Sequence, residues 1–361
     1  MKNDDLQGKR AEIDGLDQEI VRLLHRRAAV AQAIGALKDA SARGVYAPER
    51  ERQVLDRVRE LEREGPLTAD HLAAIYRQVI SACRALERPF RVAFFGPAAT
   101  FTHQAALERF GEATELVPVA TIPDVFAETQ RGEVDFGVVP VENSTEGPVH
   151  PTLDAFVESD LKVVAEIILP ISMQLMSRAP DRDAIRTIYS IPIAYAQCRQ
   201  WVERNLPGRE TVDAVSTARA AMLAADDPTG AAIGPSLAAA QYGLEILAPD
   251  IQDLASNFTR FYVIAVKGGG APTGRDKTAI VFSVHDRVGA LHDVTGVFAR
   301  RGINMSSILS RPSRRRAWDY VFFAELSGHE QDPSLREGLG ELAQHTGFVR
   351  VIGSWPAEEP A

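Results

Sequence analysis

Residues 134–147 read VDFGVVPVENSTEG. The run from Val134 to Val141 is almost uniformly apolar and β-branched, the pattern of a strand covered on both faces. It predicts a buried strand that delivers Glu142, Asn143 and Ser144 to its end, where open α/β sheets place their ligands. The same grammar continues on both sides, with short β-branched runs alternating with Ala-rich helical stretches over residues 90–266. Upstream, a strand from Arg91 to Phe95 leads into a turn at Gly96-Pro97, and Thr100 to His103 opens a helix whose free amides and hydroxyls suit an anion. Downstream come TIYSIPIAYAQC (187–198), a helix opening at Ser216-Thr217, GAAIGPSLAAAQYGL (230–244) and ASNFTRFYVIAV (255–266). In the last of these Asn257, Thr259 and Arg260 interrupt an otherwise apolar strand.

This middle region has two neighbours of different character. Residues 1–88 are rich in Arg, Glu, Leu and Ala, and their break from the middle region is Glu87-Arg88-Pro89, where proline discourages helix. Apolar residues at Leu6, Ile13, Leu16, Ile20, Leu23, Leu24, Val30, Ile34 and Leu37 predict an amphipathic helix from Leu6 to Lys38. At roughly 50 Å it is too long to be covered by an 88-residue unit, so a second chain is expected to cover it. Two more helices are expected, Pro48 to Glu64 and Thr68 to Leu86, separated by Gly65-Pro66. At about 100° per residue Arg27 and Lys38 fall on one face of the first helix, and Arg10 lies about 100° away, placed to serve a partner's pocket. Arg50 and Glu51 open the second helix, while Cys83 and Glu87 share a face of the third.

Past the middle region, KGGGAPTGRDK (267–277) has the composition of a flexible linker. Residues 278–356 then read strand (Thr278 to Val284), helix (Ala290 to Arg301), strand (Asn304 to Arg311), strand (Trp318 to Leu326), helix (Pro333 to Thr346) and strand (Val349 to Ser354), a ferredoxin-like order. Three domains are expected, 1–88 all-helical, 90–266 α/β and 278–356 α+β.

The 361 residues carry 40 Lys and Arg against 49 Asp and Glu, a net charge of −9, which argues against a nucleic-acid-binding surface. Two cysteines, Cys83 and Cys198, exclude a disulfide framework and a four-thiolate zinc site. The eight histidines lack paired ligand spacing, so no metal is expected. With no apolar run near 20 residues and a polar start, MKNDDLQGKRAEIDG, the chain reads as cytoplasmic, with no membrane partner.

Residues 6–88 resemble the all-helical chorismate mutase domain, through LQGKRAEIDGLDQEI, the IGALK stretch, YAPERE and the closing SACRALE. The resemblance places Arg10, Arg27, Lys38, Arg50, Glu51, Cys83 and Glu87 in a chorismate site, with Arg10 supplied by the other subunit. Arginines would clamp the two carboxylates, and Lys38 and Glu87 would flank the breaking ether oxygen. Residues 91–266 resemble prephenate dehydratase through FFGPAATFTHQA, VPVENSTEG and NFTRF. The implied fold is two α/β lobes about a cleft, similar to periplasmic binding proteins. The implied reaction is loss of water and carbon dioxide from prephenate to give phenylpyruvate. Thr259 would give a proton to the departing hydroxyl, assisted by Arg260 or a protonated Glu142. Asn143, Ser144, Thr100, Ser190, Gln197, Ser216, Thr217, Arg260 and Phe261 would line the cleft. Residues 278–356 resemble an ACT domain. Gly289, Ala290 and Leu291, with Ser310, Arg311 and Pro312, would hold phenylalanine as an effector.

Together these imply the bifunctional chorismate mutase–prephenate dehydratase family of phenylalanine biosynthesis, working without cofactor as a homodimer or higher homo-oligomer. The chain departs from that family at Ala47 (Asp in some relatives), Glu87 (Gln in others), Ala99 (commonly Gly), Ile191 (His), Ile193 (Gln) and Leu309 (Glu). These departures keep open a dehydratase that is degenerate or directed to arogenate, and a non-catalytic amino-acid sensor.

Overall fold

Three helices carry the first region in the computed structural model, which describes residues 2–39, 48–61, 65–87, 90–313 and 320–358, the side chains of 2–4, 38 and 39 excepted. The chain forms two compact units, Met1–Phe90 with Phe110–Glu115, and Arg91–Arg109 with Leu116–Ala361.

In the first unit α1 (Lys2–Asp39) is an unbroken helix of 38 residues, about 57 Å long. Its Leu6, Ile13, Leu16, Ile20, Leu23, Val30, Ile34 and Leu37 all remain exposed. They repeat at spacings of three, four and seven, and Arg27 fills the gap between Leu23 and Val30 in the same seam. Helix α2 (Pro48–Leu61) starts on Pro48 in its first turn and buries Leu55 and Val58. Helix α3 (Ala69–Glu87) packs against both others and buries Ala73, Ser81, Cys83 and Arg84. Gly35 brings α1 close to α3, since a β-carbon added there would lie 3.0 Å from Cβ of Glu87. The expected ends of α1 and α3 shift by a few residues, and Glu64, Arg88 and Pro89 lie outside the described residues.

The second unit starts with β1 (Arg91–Phe95), α4 (Phe101–Phe110), β2 (Glu115–Val119), α5 (Ile122–Arg131), β3 (Phe136–Asn143), the short β4 (Gly147–Pro148), α6 (His150–Glu158) and β5 (Lys162–Pro170). Its second lobe follows with β6 (Gln174–Ser177), β7 (Thr187–Ser190), α7 (Pro192–Gln197), α8 (Arg199–Asn205), β8 (Glu210–Asp213), α9 (Thr217–Asp226), β9 (Gly230–Gly234), α10 (Ser236–Tyr242) and β10 (Glu245–Ala248). Then β11 (Phe258–Ala265) returns to the first lobe, between β5 and β3. The lobes are thus joined by two crossing segments, which meet where Ile171 N donates to Asn257 O at 2.8 Å. Glu142 and Asn143 belong to β3 itself rather than to the loop after it.

The last region contains β12 (Asp276–Val284), α11 (Ala290–Ala299), β13 (Met305–Pro312), β14 (Tyr320–Ser327), α12 (Pro333–Leu342) and β15 (Thr346–Pro356). The expected strand start at Trp318 lies outside the described residues. Asp276 and Lys277 belong to β12 rather than to a linker. The buried Asp276 carboxylate accepts from the amides of Thr273 and Gly274, which fixes the end of that connection.

Two sheets result. The second lobe has the order β10-β6-β9-β7-β8, and the other sheet runs β13-β14-β12-β15-β5-β11-β3-β1-β2 with β4 beside β3. The last region therefore continues the sheet of the first lobe, through a parallel pairing of Gly353 with Val163. That approach demands glycine, because a β-carbon at Gly353 would lie 2.2 Å from the Val163 carbonyl oxygen. One face of the joint sheet shares a core of Val139, Phe156, Tyr262, Val281, Phe323 and Trp355. The opposite face of the last four strands packs Phe282, Ala324 and Leu326 on Val294, Phe298 and Leu335 of α11 and α12.

Candidate active sites

The cleft side of the dehydratase-like lobe is built by register. Strands β3 and β11 are antiparallel, pairing Asn143 with Thr259 and Glu142 with Arg260. Residues directly opposite share a face and successive residues alternate, so these two pairs point to opposite sides of the sheet. On one side Asn143 Nδ2 donates to Thr259 Oγ1 at 2.8 Å. Its Oδ1 accepts from the amides of Thr145 and Glu146 at 2.9 and 3.1 Å, which fixes the orientation of the amide. Thr259 Oγ1 therefore accepts from Asn143, leaving its own proton free to be donated elsewhere.

Asn257 extends this group. Its Oδ1 accepts from Asn143 Nδ2 and from Thr145 Oγ1, and its Nδ2 donates to Gln197 Oε1 at 3.1 Å. Gln197 closes α7 in the second lobe and also donates to Glu146 at 3.3 Å, so the network bridges the two lobes. Ser144 locks the end of β11, its hydroxyl accepting from Phe258 N at 2.9 Å.

The other side of β3 and β11 is ionic. Arg260 donates from Nη2 to Glu142 Oε2 at 2.9 Å, with a further contact to Glu166 at 3.4 Å. Glu325 of β14 receives both terminal guanidinium nitrogens, Nη2 and Nη1, at 2.7 and 2.8 Å, and also the Tyr262 hydroxyl at 2.5 Å. Lys277 neutralises the fully buried Glu166 at 2.8 and 3.0 Å. Burial alone would raise the Glu325 carboxyl, but hydrogen bonds and charge from Arg260 hold it below its ordinary value. The direct assistance to Thr259 expected of Arg260 or Glu142 is absent, because those two side chains meet each other across the sheet.

The remaining cleft candidates separate. Thr100 donates to Pro97 O at 3.1 Å and accepts from His103 N, at the start of α4. Next to it Ala99 holds φ 65°, a left-handed conformation that explains the glycine of relatives. His103 Nδ1 accepts from Ala99 N at 3.0 Å, and burial lowers its pKa, so the ring is neutral. Ser190 is fully buried and donates to Ile191 O, while Ser216 caps α9 by accepting from Arg219 N. Thr217 is buried under Gly234, and Phe261, at 1% exposure, lies in the core and offers no ligand surface. Burial, with Asp253 nearby, pushes the Cys198 thiol up to about 12, making it inert.

In the helical unit Arg10 is exposed, Arg27 half-buried, and Arg50 donates to Gln53 at 3.2 Å. Glu51 meets a cation within its own unit. Its carboxylate pairs through Oε2 with the buried Arg84 at 3.1 Å. Arg84 also donates to Phe110 O at 2.8 Å and lies over the rings of Phe90 and Phe110. Cys83 is buried, and Glu87 is half-buried opposite Gly35. The side chain of Lys38 and all of Ala47 lie outside the described residues.

In the last region Gly289 takes φ 81° at the start of α11, with Ala290 buried and Leu291 exposed behind it. Ser310 and Pro312 are exposed on one side of β13. Arg311 points to the other, binding Asp154 of α6 through Nε and Nη2 at 2.9–3.1 Å. Leu309 packs inward on the core shared with the first lobe. Sequence reasoning missed Thr145, Asp154, Glu166, Glu325 and Arg84. For Glu166 and Glu325 a signal existed, a lone acid inside an apolar strand, which must find a cation when buried. Among the described residues no group of three His, Cys, Asp or Glu side chains is placed to hold a metal.

Residues 9–88 match the family described as chorismate mutase type II, 92–268 prephenate dehydratase, and 278–344 the ACT domain. A bifunctional chorismate mutase/prephenate dehydratase of Aquifex aeolicus is 46% identical over 98% of both chains. That of Pseudomonas aeruginosa is 40% identical, again over 98% of each. The crystal structure of prephenate dehydratase from Arthrobacter aurescens in complex with L-Phe superposes with a TM-score of 0.70 at 35% identity, covering 75% of this chain and 92% of that one. On these grounds the chain belongs to the bifunctional chorismate mutase/prephenate dehydratase family.

Proposed function

We propose that the chain rearranges chorismate to prephenate in its helical unit and converts prephenate to phenylpyruvate at the Asn143–Thr259 pair, with phenylalanine as feedback effector. The observation that carries the second reaction is the orientation of that pair. Asn143 donates to Thr259 Oγ1, so the threonine keeps its own proton for donation and the oxygen is stabilised as that proton leaves. The Thr259 proton goes to the ring hydroxyl, which departs as water. The electron pair of the ring carbon–carboxylate bond moves into the ring as carbon dioxide leaves. The ring becomes aromatic, and solvent returns the proton to Thr259. Gln197, Ser144 and Thr100 are the polar groups proposed to hold the substrate, with Glu142 and Arg260 supporting the strands from behind.

Chorismate is a dicarboxylate whose rearrangement needs a compact geometry and stabilised negative charge at the breaking ether oxygen. Arg27, Lys38 and Glu87 of one chain and Arg10 of a second would supply these. The exposed apolar seam of α1 supports a homodimer, because a stripe of that length is stable only when covered. Gly289 and Leu291 offer backbone amides to an amino-acid carboxylate at the start of α11, where Ala290 N is held by Arg287 O at 3.2 Å. The L-Phe complex of the Arthrobacter aurescens relative supports phenylalanine as the ligand. Among the described residues no helix is long and apolar enough to cross a membrane, and a cytoplasmic setting fits these metabolites.

The test is to supply purified protein with chorismate and prephenate in separate reactions and follow both by ultraviolet absorbance. Prephenate and then phenylpyruvate are expected, with phenylpyruvate formation inhibited by millimolar phenylalanine. No phenylpyruvate from prephenate contradicts the dehydratase reading, and no inhibition contradicts the effector reading.

A further inference from the structure

Glu325 belongs to the region matching the ACT family, yet its carboxylate is committed to the strand that carries Thr259. Both of its oxygens receive Arg260, the residue next to Thr259, in a two-pronged ion pair. The pair is well sealed, with side-chain exposures of 18% for Arg260 and 8% for Glu325, so water screens it little. Arg260 also binds Glu142, directly across β3, and Glu142 adjoins Asn143. The β3–β11 register is irregular between Arg260 and Phe261, so the ladder itself is weakest beside these residues. Tyr262, one face-equivalent residue further along β11, donates to the same carboxylate. A cavity of about 20 Å³ adjoins Glu142, Arg260, Leu309 and Glu325, room for no more than a single water.

We propose that Glu325 is a positioning residue for the dehydratase reaction: by gripping Arg260 and Tyr262 from behind the sheet, the regulatory region sets the register that presents Thr259 to Asn143. The same contact joins the effector-binding region to the reacting hydroxyl through two residues, since β13, which carries Leu309 and Arg311, pairs directly with β14. The inference rests on the dehydratase reading above. It assigns the regulatory region a part in turnover in the absence of any effector.

The test compares wild type, Glu325→Gln, Glu325→Asp and Lys277→Met as full-length proteins, measuring dehydratase kcat and KM without phenylalanine. Mutase activity of each preparation serves as the folding control, because its residues lie in the other unit. Glu325→Gln is expected to lower kcat about tenfold with KM changed less than about threefold, mutase activity being retained. Glu325→Asp, which keeps the charge one methylene shorter, falls between the two. Lys277→Met unpairs the buried Glu166, which touches Arg260 only at 3.4 Å, and leaves the Glu325–Arg260 grip in place, so kcat should fall clearly less than in Glu325→Gln. The proposal is overturned if Glu325→Gln turns over prephenate like wild type, if Lys277→Met loses as much, or if mutase activity falls in parallel. A wild-type protein that forms no phenylpyruvate overturns this inference and the dehydratase reading together.

Discussion

The two reaction centres solve the same problem, holding a dicarboxylate, with opposite architectures. In the dehydratase lobe the proposed reacting groups, Asn143 and Thr259, face each other across two strands of one sheet, and backbone amides fix the Asn143 side chain. In the helical unit the candidate groups sit on an extended helix whose apolar seam is exposed. Strand register makes a centre that one chain completes. A helix surface presents Arg10 and Arg27 about 100° apart and needs a second surface to gather them. The difference teaches that cross-strand register defines a sheet site, while a helical site is defined by what packs against it.

The largest effect expected from breaking this contrast is on the mutase. Arg10→Ala and Arg27→Ala should each lower chorismate turnover by at least about a thousandfold, each removing a charged clamp on a carboxylate. Mixed, unfolded and refolded together, the two inactive proteins should recover about a quarter of wild-type mutase activity, because half of a random dimer mixture carries one intact site. Recovery of none would place both arginines in the same chain's site. Dehydratase activity should not respond to the mixing.

A smaller effect concerns what holds the helical unit. Arg84→Met leaves Glu51 buried without its cation, and loss of one partner of a buried pair costs roughly 3 kcal/mol. The unfolding free energy of the helical unit should fall by that amount, lowering its denaturation midpoint, while dehydratase turnover persists. An unchanged midpoint would mean that the Arg84–Glu51 contact contributes nothing. The smallest effect is on pH. A carboxyl group can donate to the ether oxygen only when protonated, so mutase activity should rise on acidification. Glu87→Gln should flatten that rise, and an unaltered profile would remove Glu87 from the reaction.

Much of the architecture was legible from the pattern of residues. The apolar run before Glu142, the seam of α1 and the βαββαβ order each announced its element, because helix and strand periods differ so strongly. Asn143, Ser144, Gln197 and Thr259 do come together, although 116 residues separate Asn143 from Thr259. What the chain order could not convey is which face each side chain takes. Arg260 looked like an assistant to its neighbour Thr259, whereas alternation along β11 turns it away toward Glu325. Arg311 read as an effector contact, yet it is tied to Asp154. Glu51 read as a substrate contact, and its partner within the unit, Arg84, one residue beyond Cys83, was not foreseen. Ala99 was visible only as a departure from relatives, and its positive φ supplies the physical reason.

Two independent centres on one chain is the central claim, and Thr259→Ala tests it most directly. The variant and wild type are given chorismate and prephenate separately, and the formation of prephenate and phenylpyruvate is followed. Loss of the proton donor should reduce phenylpyruvate formation by at least about a hundredfold, with prephenate formation from chorismate unchanged. Equal loss of both activities, or of neither, would contradict the account.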